Sequence, residues 1–262
     1  MRPIRVLLTV SAAALVAAAC GDDSPPAAAG SSAPAAPTSA AASSGSASSG
    51  SASGSGTAGL PAADILARTR TAFKAAKSVH VTGGGTSGQD TFKVDMRYSA
   101  AGNAIGTVTN GGETIELRRV GQVVYLKAST AFWTATAGAK AATAFGGKYV
   151  KAPVTDQRVA AVVSLTDKGA FIDAALSTTG GVEKGATKTV NGTQAIPLTI
   201  KDSAGGSTLF VAATGEPLPL EVLPQAGGTD TGKVDFLDYG VAVNPAAPPA
   251  AQTVDVSVVP GR

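Results

Sequence analysis

The sequence has little of what usually carries chemistry. Its 262 residues include one cysteine, one histidine, one tryptophan and two methionines, and only 5% are aromatic. A single Cys and a single His exclude a disulfide framework and a Cys/His zinc site. No Gly-x-Ser-x-Gly elbow occurs, and no base is organised around His80, which reads as a structural or surface residue. Asp235 and Asp238, three apart in an expected strand, are expected to face opposite sides, so no carboxylate pair is supported. No catalytic residue, metal or cofactor is assigned, and an enzyme is not expected.

Two motifs fail for want of context. Gly83-Gly84-Gly85-Thr86-Ser87-Gly88 satisfies Gly-x-Gly-x-x-Gly, but an alternating apolar run follows where a phosphate cradle needs a helix; a hairpin loop is expected. Asn191-Gly192-Thr193 is formally a glycosylation sequon, yet it lies between strand signals and reads as a hairpin turn. The net charge of +3 is also a weak signal. Arg2 and Arg5 stand in the first twenty residues, and beyond them 19 basic face 18 acidic residues, which gives no support for nucleic-acid binding.

The first nineteen residues have the form of a bacterial export signal. Arg2 and Arg5 make a charged start, an apolar stretch runs from 6 to 19, and Ala17-Ala18-Ala19-Cys20-Gly21 places small residues before the lone cysteine. Cys20 is expected to be the lipidated first residue of the mature protein, holding it by a diacylglycerol and palmitate-type anchor to the outer face of the cytoplasmic membrane. The alternative is an ordinary secretory signal that leaves a free thiol in an oxidising compartment. Residues 21–59 follow, 35 of the 39 being Ala, Ser, Gly or Pro. Such a composition cannot bury enough apolar surface to offset its ordering entropy, so residues 20–59 are expected to be a tether.

From residue 60 to 262 one domain is expected. Residues 61–77 show helical spacing, with Ile65, Leu66, Thr69 and Phe73 on one face. The period then becomes two, with Phe92, Val94, Met96 and Tyr98 set against Lys93, Asp95 and Arg97, and a meander of about five strands continues to residue 126. Between about 130 and 178 the strand signal stops. Ser164 or Thr166 is expected to cap a helix over 167–176 that carries Phe171 and Ile172. A second strand series runs from about 182 to 239. The order helix, meander, helical insert, meander, with no βαβ alternation, argues for an α+β domain on an antiparallel sheet. Its strand faces form a wide apolar surface with only two or three modest helices to cover it. Either the core is fully packed, or sheet and helices leave an apolar cavity.

Several blocks carry a resemblance. The cleavage-site segment and tether, the run Lys77-Ser78-Val79-His80-Val81, residues 114–127 (Thr-Ile-Glu-Leu-Arg-Arg-Val-Gly-Gln-Val-Val-Tyr-Leu-Lys), Gly215-Glu216-Pro217-Leu218-Pro219-Leu220 and residues 234–240 together resemble actinobacterial lipoproteins of the LppX/LprG type. The resemblance implies an antiparallel β half-barrel, similar to LolA and LolB, with helices against its concave face. It implies a cavity for acylated lipids or glycolipids and a role in carrying or presenting them, with a membrane transporter or another envelope protein as partner. The expected lining is Val94, Met96, Tyr98, Ile115, Leu117, Ile196, Leu198, Ile200 and Leu220 from strands, faced by Phe73 and Phe171 from helices. The alternative is a regulatory, partner-binding lipoprotein of the same fold with a collapsed cavity. This chain departs from the family in the small residues at 139–144.

Overall fold

Apolar side chains recur at matching heights on neighbouring strands, and these rows assemble the sheet. A computed structural model describes residues 56–258 apart from 88, 179, 202–205 and 225–229. The export signal, Cys20 and the tether up to residue 55 lie outside the described residues.

Strands β1 (Ser78–Ser87), β2 (Asp90–Ser99), β3 (Ala104–Asn110), β4 (Glu113–Val120), β5 (Val123–Lys127) and β6 (Tyr149–Pro153) form a first antiparallel meander. Strands β9 (Thr193–Ile200), β10 (Ser207–Ala212), β11 (Pro219–Pro224) and β12 (Asp230–Leu237) form a second. The short strands β7 (Val182–Lys184) and β8 (Lys188–Val190) share the outer edge of β9. Antiparallel pairing of β12 with β1 joins the two meanders, and β13 (Thr253–Asp255) returns to pair in parallel with β6. The resulting sheet runs from β13 at one edge to β7 at the other; it is curled and open, and the fold is an α+β half-barrel.

One inner row passes from Leu198 through Leu209, Val222, Val234, Gly83, Val94 and Val108 to Ile115, crossing eight strands. The next holds Phe236, Val81, Met96, Gly106, Leu117, Leu126 and Val150. Helices close over these rows. In α1 (Ala62–Ala75), Ile65, Leu66, Thr69 and Phe73 are buried, while Asp64 in the first turn and Lys74 in the last suit the helix dipole. Helices α2 (Thr130–Ala137) and α3 (Ala139–Phe145) make a hairpin inserted between β5 and β6, with Trp133 stacked edge-on to Phe145. Helices α4 (Ala160–Thr166) and α5 (Lys168–Ala175) follow β6 and lie over the concave face. There Phe73 meets Phe236 at 5.7 Å and Phe171 meets Tyr98 at 5.5 Å.

Several expectations are corrected. The cap of α5 is Asp167, whose Oδ1 accepts from the Ala170 amide; Ser164 and Thr166 lie inside α4 and bond back to its own carbonyls. The stretch expected to lack strands contains β6, only five residues long and therefore weak in period. The glycine run does not form a loop but continues β1, because β12 crosses too closely for side chains. A Cβ on Gly83 would stand 2.1 Å from the Lys233 carbonyl oxygen, and one on Gly85 1.9 Å from that of Thr231. Strand β12 ends at Leu237, and Asp238 takes a positive φ of 52°, so alternation stops there. Asp235 and Asp238 consequently both meet partners on the convex side, Lys233 for the first and His80 with Arg97 for the second. Finally, residues 56–59 are not part of a free tether: Thr57–Gly59 is a 3-10 turn, and Lys184 Nζ donates to the Ala58 and Leu60 carbonyls at 2.8 and 2.9 Å.

Candidate functional site

An apolar groove lies between the concave face and helices α4 and α5. Alternation on β2 sends Phe92, Val94, Met96 and Tyr98 inward, and Val108 on β3 continues this wall. Val222 and Pro224 of β11 with Val234 and Phe236 of β12 form the other wall, while Leu165, Phe171 and Ala175 roof it. The space exists because the row between Val94 and Val234 is occupied by Gly83, and the next by Gly85 and Gly232; at these places the inner face is bare backbone. Water-sized molecules have about 70 Å³ in which to place their centres, and the whole empty space, solvent-open mouth included, is about 820 Å³. One water needs about 10–15 Å³ of such space, so the groove has room for several.

The polar groups near the groove are already engaged. Lys233 lies at its rim, but its ammonium turns to the convex side, 3.0 Å from Asp235 and 3.5 Å from Glu221. At the inner end the Tyr98 hydroxyl donates to the Leu165 carbonyl at 2.8 Å. Burial, reinforced by the nearby Asp167 carboxylate, pushes this phenol well above its ordinary range, so it stays neutral. Arg119, which shares an inner row with Tyr98 and Ala104, donates to Asp167 Oδ2 at 3.0 Å. That pair fastens the junction of α4 and α5 to β4.

The roof is held at both ends. Lys168 of α5 donates to the Ala76 carbonyl at the end of α1, and Arg70 of α1 donates to the Leu176 carbonyl at the end of α5. Each helix thereby supplies a cation to the other's unsatisfied C-terminal carbonyls. Burial lowers the Lys168 pKa from its ordinary value, against the raising effect of Asp167.

Of the residues expected from sequence, the structure brings Val94, Met96, Tyr98 and Phe171 together on the groove. Phe73 sits one layer behind, against Phe236. Ile115 and Leu117 lie farther along the inner rows. Ile196, Leu198 and Ile200 are buried on β9 in the close-packed part of the core. Leu220 does not share an inner face with Val222: pairing slips between Phe210↔Glu221 and Val211↔Pro219, so Leu220 is the extra residue of a β-bulge. Sequence reasoning missed Phe92, Val108, Leu165, Ala175, Val222, Pro224, Val234 and Phe236 as lining. The alternation of Val234 with Phe236, and of Phe92 with Val94, was the signal that could have found three of these eight, Phe92, Val234 and Phe236.

His80 is on the opposite, convex face. Its Nε2 is 2.9 Å from Asp95 Oδ1 and its Nδ1 3.2 Å from Asp238 Oδ2, which also accepts from Arg97 at 3.1 Å. The Arg97 hydrogen bond, then that of His80, holds the Asp238 carboxyl below the usual carboxylate range. The two carboxylates flank different ring nitrogens and do not converge on one point. Among the described residues there is no cluster of three or more metal-ligating side chains, and no helix is long and apolar enough to cross a membrane.

No family model and no curated protein matches the sequence. Solved structures similar to this chain include LprF from Mycobacterium bovis, with 15% identity, a TM-score of 0.48, and coverage of 71% of this chain and 96% of that one. An uncharacterized conserved protein from Thermus thermophilus is similar at 11% identity and TM-score 0.40, covering 74% and 98%. MucB, in a structure of its complex with MucA(peri), is similar at 16% identity and TM-score 0.37, covering 73% of this chain and 59% of MucB.

Proposed function

We propose that this protein is a non-catalytic lipid-binding lipoprotein of the cell envelope, which holds an acyl chain in the groove and carries or presents the lipid. The observation that supports this reading most is a groove walled by apolar side chains and roofed by latched helices, with no free charge among its described lining residues. Desolvation alone contributes about 0.8 kcal/mol per buried CH₂, so a long chain needs no charged site to be held. The groove is expected to yield a co-purifying acyl lipid when the protein is extracted in mild detergent and examined by native mass spectrometry. Protein that is lipid-free on extraction and that fails to bind added fatty acid overturns the reading.

Lipidation of Cys20 belongs to the same proposal, with the chain held at the outer face of the cytoplasmic membrane and served there by a transporter or another envelope protein. Cys20→Ala is expected to release the protein from the membrane fraction into the medium, because two or more acyl chains anchor stably whereas the low-complexity segment has no membrane affinity of its own. Wild-type amounts of the variant in the membrane fraction would falsify lipidation as the anchor.

The small enclosed volume favours one competing reading, a regulatory lipoprotein that docks a partner and carries no lipid. An empty groove in native mass spectra, together with a protein partner retained through the same extraction, is the outcome expected from it.

A further inference from the structure

The groove has a direction. Along β2 the inward positions pass from half-buried Phe92 and Val94 to fully buried Met96 and Tyr98. Along β12 they pass from exposed Gly232 through half-buried Val234 to buried Phe236. The end near Thr231 and Lys233 is therefore open and the end at Tyr98 is sealed. The seal is a built one: the Tyr98 ring lies against Phe171, and its hydroxyl is bonded to Leu165. Tyr98 is six residue steps along β2 from Phe92, about 20 Å at the rise of an extended strand. Lining residues occur along that whole length, from Phe92 through Val94 and Met96 to Tyr98.

We propose that the groove is a single-chain site of fixed depth, taking one unbranched saturated acyl chain methyl-end first until it meets Tyr98, with the polar end left at the Thr231–Lys233 rim. The proposal rests on the acyl-binding reading above and narrows it to one chain and one orientation. Every methylene that enters replaces water against Val94, Val108, Val222 and Val234. A chain that has reached Tyr98 can bury no more of itself unless the ring moves, and moving the ring strands a buried hydroxyl and the Leu165 carbonyl without partners. Affinity therefore climbs with chain length and then levels off. Tyr98 sets the depth, and Val94, half-way along the same face, is where the channel can be shortened.

The test uses the purified, delipidated full chain and straight-chain acids from octanoate to behenate, each competing with a fluorescent fatty-acid probe, with stoichiometry read by native mass spectrometry. In the wild-type protein affinity is expected to rise and then level off, with one acid bound. Tyr98→Leu should move the levelling point to longer acids. Val94→Trp should move it to shorter ones, with at least a tenfold loss for the longest. Shifts in opposite directions cannot come from a general loss of stability, which weakens all acids alike. If Tyr98→Leu does not fold, the Val94→Trp series decides alone. A levelling point that stays put in the folded variants, or two acids bound per protein, overturns the fixed-depth site and leaves acyl binding standing. No binding at any length by the wild-type protein overturns the acyl-binding reading itself.

Discussion

The two faces of the half-barrel use the same strands for opposite purposes. On the concave side of β2, Phe92, Val94, Met96 and Tyr98 build the groove; on its convex side Asp95 and Arg97 belong to the ionic cluster around His80 and Asp238. Val234 lines the groove while its neighbour Lys233 pairs with Asp235 and Glu221 outside. The convex side also carries Tyr149, whose hydroxyl donates to Glu116 at 2.5 Å and accepts from Arg118 at 3.0 Å, and Arg118 reaches on to the Ala246 carbonyl of the returning C-terminal segment. Polar groups on the outside are thus partnered with one another, while on the inside the groove wall is apolar and its polar neighbours Tyr98 and Arg119 are taken up by the roof at Leu165 and Asp167. The comparison sets an uncovered apolar wall on one face against a continuous ionic lacing on the other.

The largest expected effect comes from the seam that gives both faces their continuity. Gly85→Val forces a side chain into the β12 backbone, where a Cβ already finds the Thr231 oxygen at 1.9 Å. A loss of about 3–5 kcal/mol, or failure to fold, is expected by urea denaturation. A midpoint within error of wild type would mean that the seam is not where the two meanders are held together.

Next comes a contrast within the concave face. Leu198 has no exposure, so Leu198→Ala is expected to cost about 2–5 kcal/mol, whereas Val94→Ala, at the half-buried wall of the groove, should cost less than about 1.5 kcal/mol. Equal losses in the two variants would make the groove wall as tightly packed as the rest of the core.

The smallest effect is expected on the convex face. The Tyr149 hydrogen bond, then Lys127, hold the Glu116 carboxyl below its ordinary 4.5. The folded protein therefore keeps Glu116 ionised at pH values where the unfolded chain takes up a proton. Its stabilising contribution is complete above the ordinary glutamate range and is lost as pH falls through the lower folded value. Because the side chain is 41% exposed, screening limits Glu116→Gln to about 0.2–1 kcal/mol at neutral pH. The variant should differ from wild type at pH 7 and converge with it in acid; a gap that widens on acidification contradicts this sign.

Much of the fold is legible wherever alternation persists long enough. The runs in β2 and β4 declare their faces over eight residues or more, and the helical period of α1 is broken only at its ends. The parts that were not legible have physical causes. The pairing of β1 with β12 joins residues some 150 positions apart, so no local pattern announces it, and its glycines look like a loop until the partner strand is present. In β11 the series Leu218, Leu220, Val222 has a perfect period of two, yet the bulge spends one residue and turns Leu220 away from the face that Val222 keeps. Four of the eleven expected lining residues reach the groove because periodicity identifies a face but not which stretch of that face is left uncovered. That is decided by where α4 and α5 come down, and α4 has almost no signal of its own.

The strand order has one more consequence. The polypeptide before α5 is gripped on both flanks by the polypeptide after it, β12 against β1 on one side and β13 against β6 on the other. A protease nick between α5 and β7 would therefore not set the halves free. The two fragments are expected to remain a single species on gel filtration and to come apart only in denaturant, which makes this junction a natural place to divide the protein into a pair of complementing pieces.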